Sequence, residues 1–155
     1  MPVETLKRFL DSNNVKYDSI VHSRAITAQE TAQSAHVKGK ELAKTVMIKA
    51  DGKMAMAVLP ASYKVEFDLL KEGIGARSVE LAGENEFKEL FPNCEIGAMP
   101  PFGNLYGMEV FVAESLTKDE EIAFNAGSHI ELIRLPYADF ERLVRPKVLD
   151  FATKV

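Results

Sequence analysis

The chain has 155 residues, 46% hydrophobic and 27% charged, with a formal net charge of −4. Those values describe an ordinary soluble globular protein, able to bury a core without staples, and the expectation is one domain over residues 1–155. A negative balance excludes broad, nonspecific binding along a nucleic-acid backbone, which needs many Lys and Arg contacts, but not a local grip on one RNA end. The single cysteine, Cys94, excludes an internal disulfide framework. The opening MPVETLKRFLDSNN lacks the basic region and apolar run of a signal peptide, and no apolar stretch approaches the length of a membrane span. The cytoplasm is therefore the expected location.

In chain order, Val3, Leu6 and Leu10 share one face of a helix over 3–13, widened by Phe9. Tyr17 to Val21 reads as a short strand. A second helix is expected after Thr27, whose spacing to Glu30 is that of a capping box. The segment from His36 to Lys44 holds three lysines against one glutamate, a small basic lip or a solvated loop. Asp51-Gly52 then separates two apolar runs, Thr45–Ala50 and Lys53–Leu59. Such a pair favours a type I′ hairpin, because glycine accepts positive φ and aspartate tolerates it. Residues 64–72 read as a helix stopped by Gly73. Arg77 to Leu81 reads as a strand, and Glu84 to Phe91 as a short helix ended by Pro92.

A Gly/Pro-rich loop runs from Ile96 to Tyr106. Strands are expected at 108–113, 121–125 and 130–135, and a last helix from Pro136, with Tyr137, Phe140 and Val144 on one face. Strands scattered among helices, rather than alternating with them, predict an α+β fold with a mixed, mostly antiparallel sheet.

The loop Gly97-Ala98-Met99-Pro100-Pro101-Phe102-Gly103 is the first candidate for chemistry. Its glycines let the backbone approach a ligand, and its prolines stiffen the loop so that the remaining N–H groups keep one direction. Fixed N–H donors are what a developing oxyanion needs. The same residues also fit a rigid turn. Lys44 stands at the end of an apolar strand, where its ammonium can meet a phosphate as a point charge or simply face solvent. Gly127-Ser128-His129 separates two strands, as a polar turn or as residues touching a ribose. His22 ends an early strand. The three histidines lack metal-ligand spacing, so no metal is expected. Cys94 has no obvious base near it in sequence and reads as a packing residue rather than a nucleophile. No Walker loop, GxGxxG or Gly-x-Ser-x-Gly elbow occurs.

Four stretches, in order, resemble the YbaK/prolyl-tRNA-synthetase-associated editing family. They are Val21-His22-Ser23-Arg24-Ala25-Ile26-Thr27 with Ala28-Gln29-Glu30, then Leu42-Ala43-Lys44-Thr45-Val46, then Gly97 through Pro101 as a G-x-x-x-P loop, and Asp119 through Gly127. The resemblance implies a barrel-like sheet flanked by helices, and hydrolysis of the ester joining an amino acid to the terminal ribose of tRNA. Family members act in trans as free-standing proteins or as a domain inserted in prolyl-tRNA synthetase, and the length here is expected of the first kind.

Carried onto this chain, the resemblance implies that Gly97 and Pro101 shape the catalytic loop, with Ala98, Met99, Pro100, Phe102 and Gly103 around the substrate. Lys44, beside Thr45, would meet the phosphate or ribose. His22, Gly127, Ser128 and His129 would line the pocket, although Ser128 and His129 depart from the family's usual residues after the late glycine. A water or a ribose hydroxyl would supply the attack, so no cofactor and no protein nucleophile is required. The expected partner is the acceptor end of a mischarged tRNA, with a synthetase as a further one. Two alternatives stand beside this reading: a non-catalytic module that holds a tRNA end or nucleotide, and an esterase using Cys94 or His129.

Overall fold

Asp51 and Gly52 both take positive φ, 50° and 81°, and they close the hairpin that organises the molecule. The two-residue turn joins β2 (Ala43–Ala50) to β3 (Lys53–Pro60) in antiparallel register, Ala50 opposite Lys53. Asp51 Oδ1 also accepts the backbone N–H groups of Arg77 and Ser78, at 2.9 and 3.0 Å. The turn residue thus anchors the strand that follows. The computed structural model describes residues 2–21, 41–91, 94–95 and 97–154. The expected helix after Thr27, the site residue His22 and the lysines at 38 and 40 lie outside that set.

Around the hairpin the strands order as β5-β2-β3-β6-β9, with β5 (Val79–Leu81), β6 (Glu109–Ala113) and β9 (Lys147–Leu149). The β3–β6 and β6–β9 pairs are parallel and the others antiparallel. A second sheet orders β1 (Asp18–Val21), β8 (Glu131–Pro136) and β7 (Glu121–Asn125), all antiparallel. A parallel bridge between Leu42 and Ala123 links the two sheets, backed by the Ala123 N–H donating to Glu41 O at 2.9 Å. β4 (Tyr63–Val65) and β10 (Ala152–Lys154) form a separate antiparallel ribbon. The fold is α+β with mixed, mostly antiparallel sheets, as expected. Among the described residues the strands lie in three sheets, the larger two joined at that bridge.

Both faces of the five-stranded sheet are covered, so β3 is buried continuously from Ala55 to Pro60 instead of alternating. One face meets α1 (Pro2–Ser12) through Leu6 and Leu10, together with Phe102, Phe124, Ile133 and Phe140. The other meets α2 (Phe67–Ile74) through Leu70, with Phe151 from the C-terminal stretch. On α4 (Tyr137–Val144) the predicted face of Tyr137, Phe140 and Val144 is buried.

Three local expectations need correction. Tyr63 to Val65 is a strand and not the start of a helix, because Ala152–Lys154 pairs with it. α2 runs through Gly73 and stops at Gly75, which takes the left-handed conformation at φ 77° and donates to Lys71 O. Gly73 serves packing instead: a β-carbon there would stand 3.3 Å from both methyls of Leu149. The helix over 84–91 is α only across Glu84–Phe87 (α3) and tightens to a 3₁₀ turn over Lys88–Leu90.

Candidate functional site

The Gly/Pro loop and the late glycine turn are sewn together by main-chain bonds. Glu95 N–H donates to Gly127 O at 2.8 Å, and Gly127 N–H donates back to Ala98 O at 2.9 Å. Within the loop, Ala98 N–H donates to Glu95 O at 3.0 Å. The side chain of Glu95 adds a third tie, its Oε2 accepting the His129 N–H at 2.5 Å. Gly127 permits the turn by adopting φ 98°, and Gly97 takes φ 85°. Ser128 Oγ accepts the Ile130 N–H at 3.4 Å, which places that hydroxyl inside the turn's own geometry.

This stitching decides which donors remain. Ala98 N–H is committed to a carbonyl, and the two prolines have none to offer. Among the described residues, no acceptor takes the N–H of Gly97 or of Met99. Gly97 is the exposed residue of the loop, whereas Ala98, Met99, Pro100 and Pro101 are buried. The His129 ring is buried beside Gly97, with Cε1 3.6 Å from the position of a β-carbon on that glycine.

A cleft of about 250 Å³ opens next to this loop. Gly97 and Met99 form one wall, Thr45, Val46 and Met47 of β2 another, and Leu81, Ala82, Glu84 and Phe87 the third. The cleft follows from strand lengths: β5 pairs with β2 at Ile48–Ala50, and one further main-chain bond, Ala82 N–H to Met47 O at 3.0 Å, ends the contact on that side. Residues 45–47 therefore border the cleft along that side of β2. Lys44 immediately precedes them and is half-buried. Burial draws its ammonium below the usual lysine range, and among the described residues no carboxylate pairs with it. A partly desolvated, uncompensated cation beside a small cleft favours an anionic group there.

The structure thus brings Thr45, Gly97, Met99, Gly127, Ser128 and His129 into one region, with Lys44 adjoining. Two expected substrate contacts fall elsewhere. Phe102 is fully buried, at the hub of an aromatic cluster with Phe9, Phe124 and Phe140 at centroid distances of 6.2, 5.5 and 5.6 Å. Gly103 is buried against β6, where a β-carbon would come 2.7 Å from Val110 Cγ2 and 2.9 Å from Met108 O. Both anchor the loop's far end to the core and do not face the cleft. The side chains of Ala98, Pro100 and Pro101 are buried, and only their backbone runs along the loop. Glu95 was missed by the sequence reading: a lone glutamate before a glycine carries no motif, and its partner lies 34 positions away.

Among the described residues, no group of three or more His, Cys, Asp or Glu side chains is placed to hold a metal ion. Among them too, no helix is long and apolar enough to cross a membrane.

The model of the aminoacyl-tRNA editing domain matches residues 22–143, spanning both loops and β2. The chain belongs to that family. A multifunctional Ser/Thr-tRNA deacylase, ProXp-y, from Escherichia coli K12 is 34% identical over 98 residues, covering 62% of this chain and 58% of the deacylase. A proline–tRNA ligase from Bacillus mycoides is 29% identical over 82 residues, 53% of this chain but 14% of the ligase. The chain thus spans little more than half of the one relative and a small part of the other. Two crystal structures share the fold. One, of a hypothetical protein, has a TM-score of 0.85 at 19% identity, covering 96% of this chain and 99% of that one. The other is described as a candidate trans-editing enzyme for prolyl tRNA synthetase, with a TM-score of 0.82 at 17% identity, covering 98% and 97%.

Proposed function

We propose that this editing domain hydrolyses the ester of a mischarged aminoacyl-tRNA, acting in trans on the acceptor end. The observation that carries this reading is the pair of N–H groups, Gly97 and Met99, that no acceptor among the described residues takes, on a loop stitched rigid beside a cleft and a partly desolvated lysine. In the reaction, a water oxygen attacks the ester carbonyl and the bond from that carbon to the ribose oxygen breaks. The ribose oxygen takes up a proton, leaving free amino acid and deacylated tRNA. Charge developing on the carbonyl oxygen is met by the loop's N–H groups, which need no reorganisation at that moment. Lys44 meets the phosphate or ribose of the terminal nucleotide. An aminoacyl ester is already activated, so positioning and oxyanion stabilisation supply the rate and no protein nucleophile is needed.

The cleft falls below the roughly 300–1,000 Å³ of a drug-sized site. It suits a small aminoacyl group and leaves the adenosine outside. Apart from the Thr45 hydroxyl and the Glu84 carboxylate, its side chains are apolar. Apolar walls of this kind separate one methylene by only about 1–3 kcal/mol, so size, more than polarity, sets the preference. A panel of radiolabelled Ala-, Ser-, Thr- and Cys-tRNAs tests the reading: release of amino acid at catalytic protein concentration is expected for the smaller groups. Binding without release would replace the deacylase by a module that only holds the tRNA end.

A further inference from the structure

Glu95 takes part in two of the three ties between the two loops, and in the bond that closes the Gly97 loop on itself. Its N–H reaches Gly127 O, its carbonyl receives Ala98 N–H, and its carboxylate receives His129 N–H. The His129 N–H lies in the turn between β7 and β8, beyond the last pair of their ladder, Asn125 with Leu132. A side chain from outside the turn therefore supplies the acceptor. A half-buried carboxylate accepting a main-chain N–H makes a stronger and more directional bond than a neutral group does.

We propose that Glu95 is a positioning residue for ester hydrolysis, its carboxylate fixing the 127–129 turn beneath the Gly97 loop so that the loop's N–H donors and the His129 ring keep one geometry. This rests on the deacylase reading above. The carboxylate touches no substrate atom. It acts by limiting how far the loop and turn can slide past each other, and a slip of 1 Å at a reacting centre costs on the order of 10²-fold in rate. Charge alone is not the requirement. An acceptor oxygen at that position is, and glutamine offers one.

The test compares Glu95→Ala and Glu95→Gln with the unaltered protein on whichever of Ser-, Thr- or Ala-tRNA the latter hydrolyses, with the His129 amide resonance followed in parallel. Glu95→Ala is expected to lower kcat about 30-fold with KM within about twofold, and to move the amide resonance upfield. Glu95→Gln is expected to restore kcat to within about fivefold and return the resonance most of the way. Unchanged kcat in Glu95→Ala overturns the proposal, as does a loss that only tracks the folded fraction or falls entirely in KM. An unaltered protein inactive on every tRNA would instead bring down the deacylase reading, and the positioning role with it.

Discussion

The His129 imidazole lies within van der Waals reach of Gly97, Cε1 at 3.6 Å and Nε2 at 3.8 Å from where a β-carbon on that glycine would stand. Two residues 32 positions apart in sequence thereby share one small surface. Gly97→Ala fits the available space but not the backbone, since φ is 85°. Holding an L-residue there costs about 1–2 kcal/mol. The expected outcome is a melting point lower by a few degrees, at about 2–4 °C per kcal/mol, and hydrolysis slower by about tenfold or more as the donors shift. A Gly97→Ala protein with unaltered turnover would show that the loop's conformation is not part of the chemistry.

Gly103→Ala should behave in the opposite way. Its β-carbon meets Met108 O at 2.9 Å and Val110 Cγ2 at 2.7 Å, and a backbone oxygen cannot step aside. Overpacking of this kind costs about 1–3 kcal/mol. Thermal melts should show the larger loss here, while kcat per folded molecule stays within about twofold of the unaltered protein. A specific loss of kcat at constant stability would return Gly103 to the substrate.

Lys44 separates function from stability. Lys44→Ala should lower hydrolysis by about 10²-fold, in the range of a lost charge-stabilising group. Lys44→Met should match or exceed the parent's stability, because burial opposes the ammonium in the folded state. The sign follows from proton counts. Its folded pKa lies below the unfolded 10.5, so the unfolded chain binds more protons between the two values. Lys44 therefore costs stability below that window, and the cost is relieved as pH rises through it. Urea midpoints of Lys44→Met and parent should converge toward pH 10.5, and midpoints that diverge there would refute the burial account.

Cys94 and Tyr137 have the reverse linkage. Burial pushes the Cys94 thiol up from 9.0 to about 11, and the Tyr137 phenol up from 10.0 to about 12. The folded chain keeps both protons where the unfolded chain loses them, so stability falls as pH rises from about 9 toward 12. Cys94→Ala should flatten the first part of that fall. It should also leave deacylation within about twofold, because a thiol held neutral is a poor nucleophile. Abolished turnover in Cys94→Ala, with Lys44→Ala intact, would favour the thiol esterase instead.

Much of this molecule was legible locally. Asp51-Gly52 announced its hairpin, because left-handed φ at two successive positions is a property of those residues alone. The faces of Leu6 and Leu10, and of Tyr137, Phe140 and Val144, followed from helical periodicity. The order of the Lys44, Gly97 and Gly127 segments pointed to the editing family. β4 and β10 were not legible. Three-residue strands carry too little pattern to be read alone, and these two exist because each is the other's hydrogen-bonding partner.

The site was divided in the same way. Sequence by itself determined that a glycine-and-proline loop, a strand-end lysine and a late glycine turn would be present, since backbone preferences act over a few residues. Tertiary structure decided the rest. It turned Phe102 and Gly103 inward, committed the Ala98 N–H, left those of Gly97 and Met99 without an acceptor among the described residues, and made Glu95 the junction. Those outcomes depend on which strands pair and in what register, and hydrogen bonds between residues some 30 positions apart leave no trace in a local pattern.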